Sequence, residues 1–101
     1  MLWAVHCLDA PGSSGSRESA RAAHSARLRA PGDVVPLVYG RLMSDDGTAA
    51  VGSLLVVAAE DRHRVQSYLA DDPFITEGVW AEVRIHPFSA SANAPVPLVR
   101  D

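Results

Sequence analysis

Two segments of the sequence are apolar at almost every position: Leu2–Leu8 (LWAVHCL) and Ala49–Ala59 (AAVGSLLVVAA). A strand with one face in water alternates apolar and polar residues. A run without alternation predicts a strand covered on both faces. Neither run approaches the roughly 20 residues that a membrane-spanning helix needs. The chain must therefore build a sheet whose two central strands are covered above and below.

The remaining sequence supplies one of those covers. Pro11, Gly12 and Gly15 interrupt the chain after the first run. Ser16 is the expected N-cap of a helix over residues 17–30, which Pro31-Gly32 ends. Ala20, Ala23, His24 and Leu28 recur at spacings of three and four, which predicts one packed face. Val34–Met43 has strand composition, and Pro36 assigns it to a sheet edge. The turn SDDGT joins it to Ala49–Ala59 as a hairpin. Residues 60–70 predict a second helix, with Glu60 and Asp61 at its positive end and Val65, Tyr68 and Leu69 inward. Asp72-Pro73 stops it. In Gly78–Phe88 the alternation is clean: Val79, Ala81, Val83 and Ile85 point one way, and Trp80, Glu82, Arg84 and His86 the other.

The order β-α-β-β-α-β predicts an α+β, ferredoxin-like fold, a four-stranded antiparallel sheet with two helices on one face. The other face stays apolar, and large apolar patches signal association. The expected remedy is a homodimer that buries this face beside Trp80. Residues 1–88 form the expected domain. Residues 89–101 (SASANAPVPLVRD) form a tail, either a frayed end or an arm on the partner subunit.

Composition narrows the function classes. A chain of 101 residues suits one domain. Such a domain buries only roughly two-thirds of its unfolded surface, a further reason for a partner. The net charge of −3 argues against nucleic-acid binding, which calls for a basic patch. Cys7 is the single cysteine, so no intrachain disulfide can form and the cytoplasm is the expected compartment. The N-terminal residues lack the basic flank of a signal peptide. No compact metal-ligand motif and no glycine-rich phosphate loop stands out, so neither metal nor cofactor is expected.

Four segments, RAAHSARL (21–28), GSLLVVAAED (52–61), LADDPF (69–74) and EGVWAEVRIHPF (77–88), occur in that order. Together they resemble the YciI-like (YCII-related) proteins of bacteria, over Met1–Phe88. The resemblance implies a ferredoxin-like fold of the dimeric α+β barrel type. It also implies an active site with a histidine on the first helix and an aspartate before proline after the second. Those positions are His24 and Asp72. Related domains include an enzyme that dechlorinates a chlorinated hydroxyhydroquinone, and the wider superfamily includes muconolactone isomerases. The implied chemistry is proton transfer on small, often ring-shaped acids or phenols. The chain departs from the family in its short SDDGTAAV connection and in Arg41 of YGRLM, where relatives often carry proline.

Each candidate residue has a functional and a structural reading. Imidazole titrates near neutrality and both takes and gives a proton, which suits His24 to acid–base catalysis. An aspartate on its other nitrogen would fix the tautomer, the role open to Asp72. Structurally, His24 is a buried ring capped by a backbone carbonyl, and Asp72-Pro73 is a helix stop. Arg21 and Arg41 are candidates for an anionic substrate, or they are surface charges. Ser53 is a substrate contact or core filler that needs a partner. Trp80 walls the pocket or the dimer contact. His6 and His86 fall on neighbouring strands, with their faces undetermined. Cys7 reads as a small buried hydrophobe, and His63 as exposed. The favoured function is a homodimeric lyase or isomerase that uses a His24–Asp72 pair on a small organic acid or phenol. The alternative is a non-catalytic small-ligand-binding or dimerisation module.

Overall fold

The computed structural model describes residues 1–98; residues 99–101, the end of the expected tail, lie outside the described residues. Seven elements follow in order: β1 (Leu2–Asp9), α1 (Ser14–Arg29), β2 (Val35–Met43), β3 (Ala50–Ala58), α2 (Arg62–Ala70), α3 (Pro73–Thr76) and β4 (Trp80–Phe88). The two unalternating runs, β1 and β3, lie side by side in the middle of one antiparallel sheet of order β2-β3-β1-β4. Pro36 sits on the edge strand β2, just before a register shift in its pairing with β3. This is the ferredoxin-like α+β arrangement, with the helices on one face.

That face holds the main core. Trp3, Val5 and Cys7 of β1 and Leu55 and Val57 of β3 meet Ala20 and Leu28 of α1, Val65 and Leu69 of α2, and Phe74 of α3. The Trp3 indole N–H donates to the Ala59 carbonyl at 3.2 Å, so its polar atom is satisfied inside. A second, smaller cluster of Leu2, Val56 and Ala58 occupies the opposite face. Val35, Leu37, Ala90 and Leu98 pack against it. The segment after β4 thus folds back over one end of its own sheet.

Local structure differs from the sequence expectation in three places. The helix begins earlier than Ser16: Ser13 holds the N-cap position without a side-chain cap bond. The buried face of α1 is Arg17, Ala20, His24 and Leu28, whereas Ala23 is exposed. Arginine, not alanine, opens the stripe because Asp9 is there to receive it at 2.7 Å. Finally, the alternation in β4 breaks at its start. Asp9 pairs with Trp80 but Leu8 pairs with Glu82, leaving Ala81 as an extra residue. Such a bulge re-aims the side chains before it. Trp80 therefore joins Val83 and Ile85 in the helix-side core and is not part of the open face.

The β2–β3 turn is fixed by Asp46, whose carboxylate accepts bonds from the Ser44 hydroxyl and from the Thr48 hydroxyl and N–H. These donors hold its carboxyl down at about 2. On β3, Gly52 has no room for a side chain, because a Cβ there would be driven into the Cys7 carbonyl. Gly52→Ala is therefore expected to cost about 1–3 kcal/mol, as overpacking does. The measurement is a lowered urea midpoint at unchanged slope.

Candidate active site

His24 lies midway along α1, seven residues after Arg17 and four before Leu28, so its ring points at the sheet. Its partner comes from the chain's own helix punctuation. Asp72-Pro73 ends the second helical stretch and starts α3: Pro73 fills the first turn, and the Asp72 carboxylate accepts from the Phe74 N–H at 2.8 Å. The same carboxylate, fully buried, lies 2.8 and 3.0 Å from His24 Nδ1. It also accepts from Arg27 Nη1 at 3.1 Å. The two readings of Asp72, helix stop and histidine partner, are both satisfied by one side chain.

A carboxylate only accepts, so Nδ1 carries the proton toward Asp72 and Nε2 is the nitrogen left free. Among the described residues Nε2 makes no hydrogen bond, and no buried side-chain polar atom lacks one. It therefore opens to accessible space. The ring is fixed on its flat side by Phe74, stacked at 3.9 Å between centroids and 10° between planes. Trp80 closes edge-on, 5.5 Å from both rings.

A cavity of about 210 Å³ opens in front of this histidine, lined by Arg17, Arg21, His24, Tyr39, Arg41 and Ser53 among others. Arg41 faces it because it sits opposite Ser53 across the β2–β3 ladder. Arg21 is exposed, with a 3.4 Å contact to Glu18, a pair worth little in water. Ser53 is buried, its oxygen taking bonds from Arg17 Nη2 at 2.8 Å and the Trp80 indole at 3.1 Å. Trp80 stands behind the cavity and does not line it. His6 and His86 share the open sheet face, since Ala4 pairs with His86. His63 is exposed. Burial, reinforced by Asp72 and Asp9, pushes the Cys7 thiol up to about 12, so it stays protonated at neutral pH and is no nucleophile.

Sequence reasoning missed three members of the site. Arg17, expected only as the first residue of the helix, is buried and binds Asp9 with two nitrogens as well as the Gly52 carbonyl. Phe74 and Tyr39 also went unremarked. The available signal was the seven-residue spacing between Arg17 and His24, which places both on one helix face. Among the described residues no group of three or more His, Cys, Asp or Glu gathers to hold a metal ion. No helix of the described residues is long and apolar enough to cross a membrane.

Known proteins share this architecture. A family model, the YCII-related domain, matches residues 1–89. Protein YciI of Escherichia coli is 31% identical over 94 residues, covering 87% of this chain and 96% of that one. Protein YciI of Shigella flexneri gives the same figures. Among solved structures, 5-chloro-2-hydroxyhydroquinone dehydrochlorinase from Burkholderia phenoliruptrix, in complex with 2,5-dihydroxybenzoquinone, matches with a TM-score of 0.77. The two are 28% identical, over 90% of this chain and 96% of the other.

Removing the Asp72 carboxylate strands His24 and Arg27 and uncaps α3. Asp72→Ala is expected to cost about 3–5 kcal/mol, the usual result of breaking a buried pair from one side. Asp71→Ala, an exposed change next door, should stay within about 0.5 kcal/mol of wild type. Chemical denaturation of the two variants makes the comparison.

Proposed function

The chain belongs to the YCII-related family, and on that premise we propose that it is an acid–base enzyme acting on a small phenol or ring-shaped organic acid. The observation that carries this reading is the free Nε2 of His24, open to a cavity while Nδ1 is held by buried Asp72. That is the arrangement in which an imidazole takes a proton from a bound molecule and returns it. Asp72 fixes the tautomer and stabilises the imidazolium that forms. Arg21 and Arg41 attract the anionic form of the substrate, Ser53 positions Arg17 at the cavity, and Trp80 keeps the histidine ring from turning.

The reaction class is elimination from a hydroquinone-like ring. His24 moves a ring-hydroxyl proton to the ring carbon that bears the leaving group, which becomes tetrahedral. Loss of the proton from the para hydroxyl then pushes an electron pair through the ring and expels the leaving group as its anion. The ring ends as a quinone, one proton and one anion depart, and no oxidant is consumed. The neighbouring dehydrochlorinase structure supports this class by its named activity. The single, buried, unpaired Cys7 supports work in a reducing compartment, the cytoplasm.

Halide release from chlorinated hydroquinones, followed with the rise in quinone absorbance, tests the reading. His24→Gln is expected to slow it by about 10²-fold or more. Equal rates in the two proteins would remove His24 from the chemistry, and binding without turnover would favour a ligand-binding module.

The open sheet face belongs in the same proposal. Leu8, Val38, Leu54 and Phe88 leave 36–40% of their surface exposed there. A second copy of the chain is the natural cover, with residues 1–88 as the working domain and the segment from Ser89 bordering the contact. Sedimentation at micromolar concentration should give a dimer, and Leu54→Glu should give a monomer. A wild-type monomer would refute this assembly.

A further inference from the structure

We propose that the arginine end of the cavity is a carboxylate subsite, so that the ligand bears a carboxylate in addition to the ring hydroxyls addressed by His24. The inference rests on the preceding reading for the identity of the reacting ring, and on separate observations for the anion.

The first observation is Arg17. Its side chain is 9% exposed, and four hydrogen bonds to three residues already direct it: Nε and Nη2 to Asp9, and Nη2 to the Gly52 carbonyl and Ser53 hydroxyl. Among the described residues Nη1 has no partner, yet no buried side-chain polar atom goes without one. Nη1 is therefore accessible, and Arg17 reaches accessible space where it lines the cavity. A guanidinium held at three points with one amine left over is a prepared donor, and its order has already been imposed by the fold.

The second observation is Arg41. It lies directly across the ladder from Ser53, the residue that Arg17 Nη2 grips. Opposed side chains on a sheet stand within about 5 Å at Cβ, so the two guanidinium groups reach the same end of the cavity. The ion pairs of the described residues engage Arg17, Arg21, Arg27, Arg64 and Arg84, and leave Arg41 out. Asp9 balances Arg17, but among the described residues no ion pair balances Arg41.

The third is the wall itself. Among the described residues no Asp or Glu lines the cavity, whereas Arg17, Arg21 and Arg41 do. The Asp72 charge is spent behind the histidine on His24, Arg27 and Phe74. A small cavity with an excess of cations, an apolar floor of Leu28, Leu55 and Phe74, and a phenolic Tyr39 at its rim fits a planar ring with a two-oxygen anion. At about 210 Å³ it lies below the usual range for drug-sized ligands, which restricts the occupant to a single ring.

Hydroquinone and 2,5-dihydroxybenzoate differ only by one carboxylate and are the matched probes. Isothermal titration at pH 7 and low salt is expected to show the benzoate binding wild type about tenfold tighter or more, a difference of ~1.4 kcal/mol. The preference should shrink as salt is added, because charge pairing is screened. Arg41→Gln, on an exposed edge strand, should lose most of the preference, so that the ratio of the two affinities falls toward one. Arg17→Lys retains the charge without the fork and should weaken only the benzoate; its circular dichroism is compared with wild type first, and Arg41→Gln decides if it does not fold. Equal affinities in wild type, failure of the benzoate to bind at millimolar concentration, or a preference unchanged in Arg41→Gln would each overturn the subsite. The two proposals separate cleanly. No carboxylate preference together with His24-dependent halide release would sink the subsite alone, and a preference lost in Arg41→Gln with His24-independent release would sink the catalytic reading alone.

Discussion

One buried carboxylate organises the helix side of this molecule. Asp72 is wholly out of water, where an unpaired charge costs several kcal/mol. It is tolerated because His24, Arg27 and the Phe74 N–H all donate to it. Those donors come from two different elements, so the carboxylate also ties α1 to the start of α3. Phe74 cannot stack on His24 unless α3 begins where Asp72 caps it, and His24 cannot keep its tautomer unless α1 lies against that cap. Helix capping, helix packing and histidine orientation are thus one event, not three.

Arginine does the rest, in a chain whose basic residues are all arginine. Arg27 balances Asp72 and lies 4.5 Å over the Tyr68 ring while bonding the Tyr68 carbonyl. Arg17 performs the mirror function at the sheet, gripping Asp9 and the Gly52 carbonyl, with its guanidinium 4.8 Å from the Phe74 ring centre. Phe74 thereby contacts both the histidine and a cation. Planar, permanently charged side chains of this kind make several directed bonds at once, which a lysine could not reproduce. The result is a polar layer between helices and sheet in which no buried side-chain polar atom is left unsatisfied among the described residues.

The two faces of the sheet have different characters. The helix side combines a continuous apolar core with this polar layer near α3. The other side holds only a small cluster around Leu2, Val56 and Ala58, over which Ala90 and Leu98 fold, and then Leu8, Val38 and Leu54 beyond it. The candidate site is therefore confined to one side, and the opposite side carries the exposed apolar residues. The register keeps them apart: a strand sends alternate side chains to opposite faces, so Cys7 and Ser53 serve the first while Leu8 and Leu54 serve the second.

The unalternating runs of β1 and β3, the edge position forced by Pro36 and the helical spacing in α1 were written in the residues themselves. They are local consequences of side-chain period, ring geometry and hydrophobicity. His24 and Asp72 could be singled out by sequence and by family resemblance, but not their contact, which spans 48 residues of chain. Arg17 escaped notice because a charged residue at the start of a helix looks solvated until Asp9 and Gly52 are brought to it. Alternation groups Trp80 with Glu82, Arg84 and His86, whereas it lies in the helix-side core, since alternation counts residues and cannot see that Ala81 is an extra one opposite β1. Sequence by itself determined which segments are the four strands and the two longer helices, though not the short α3, and which residue types were available for proton transfer. Only the tertiary structure decided which of them meet, because those contacts depend on register and on the docking of α1 against α3, and no local pattern encodes either.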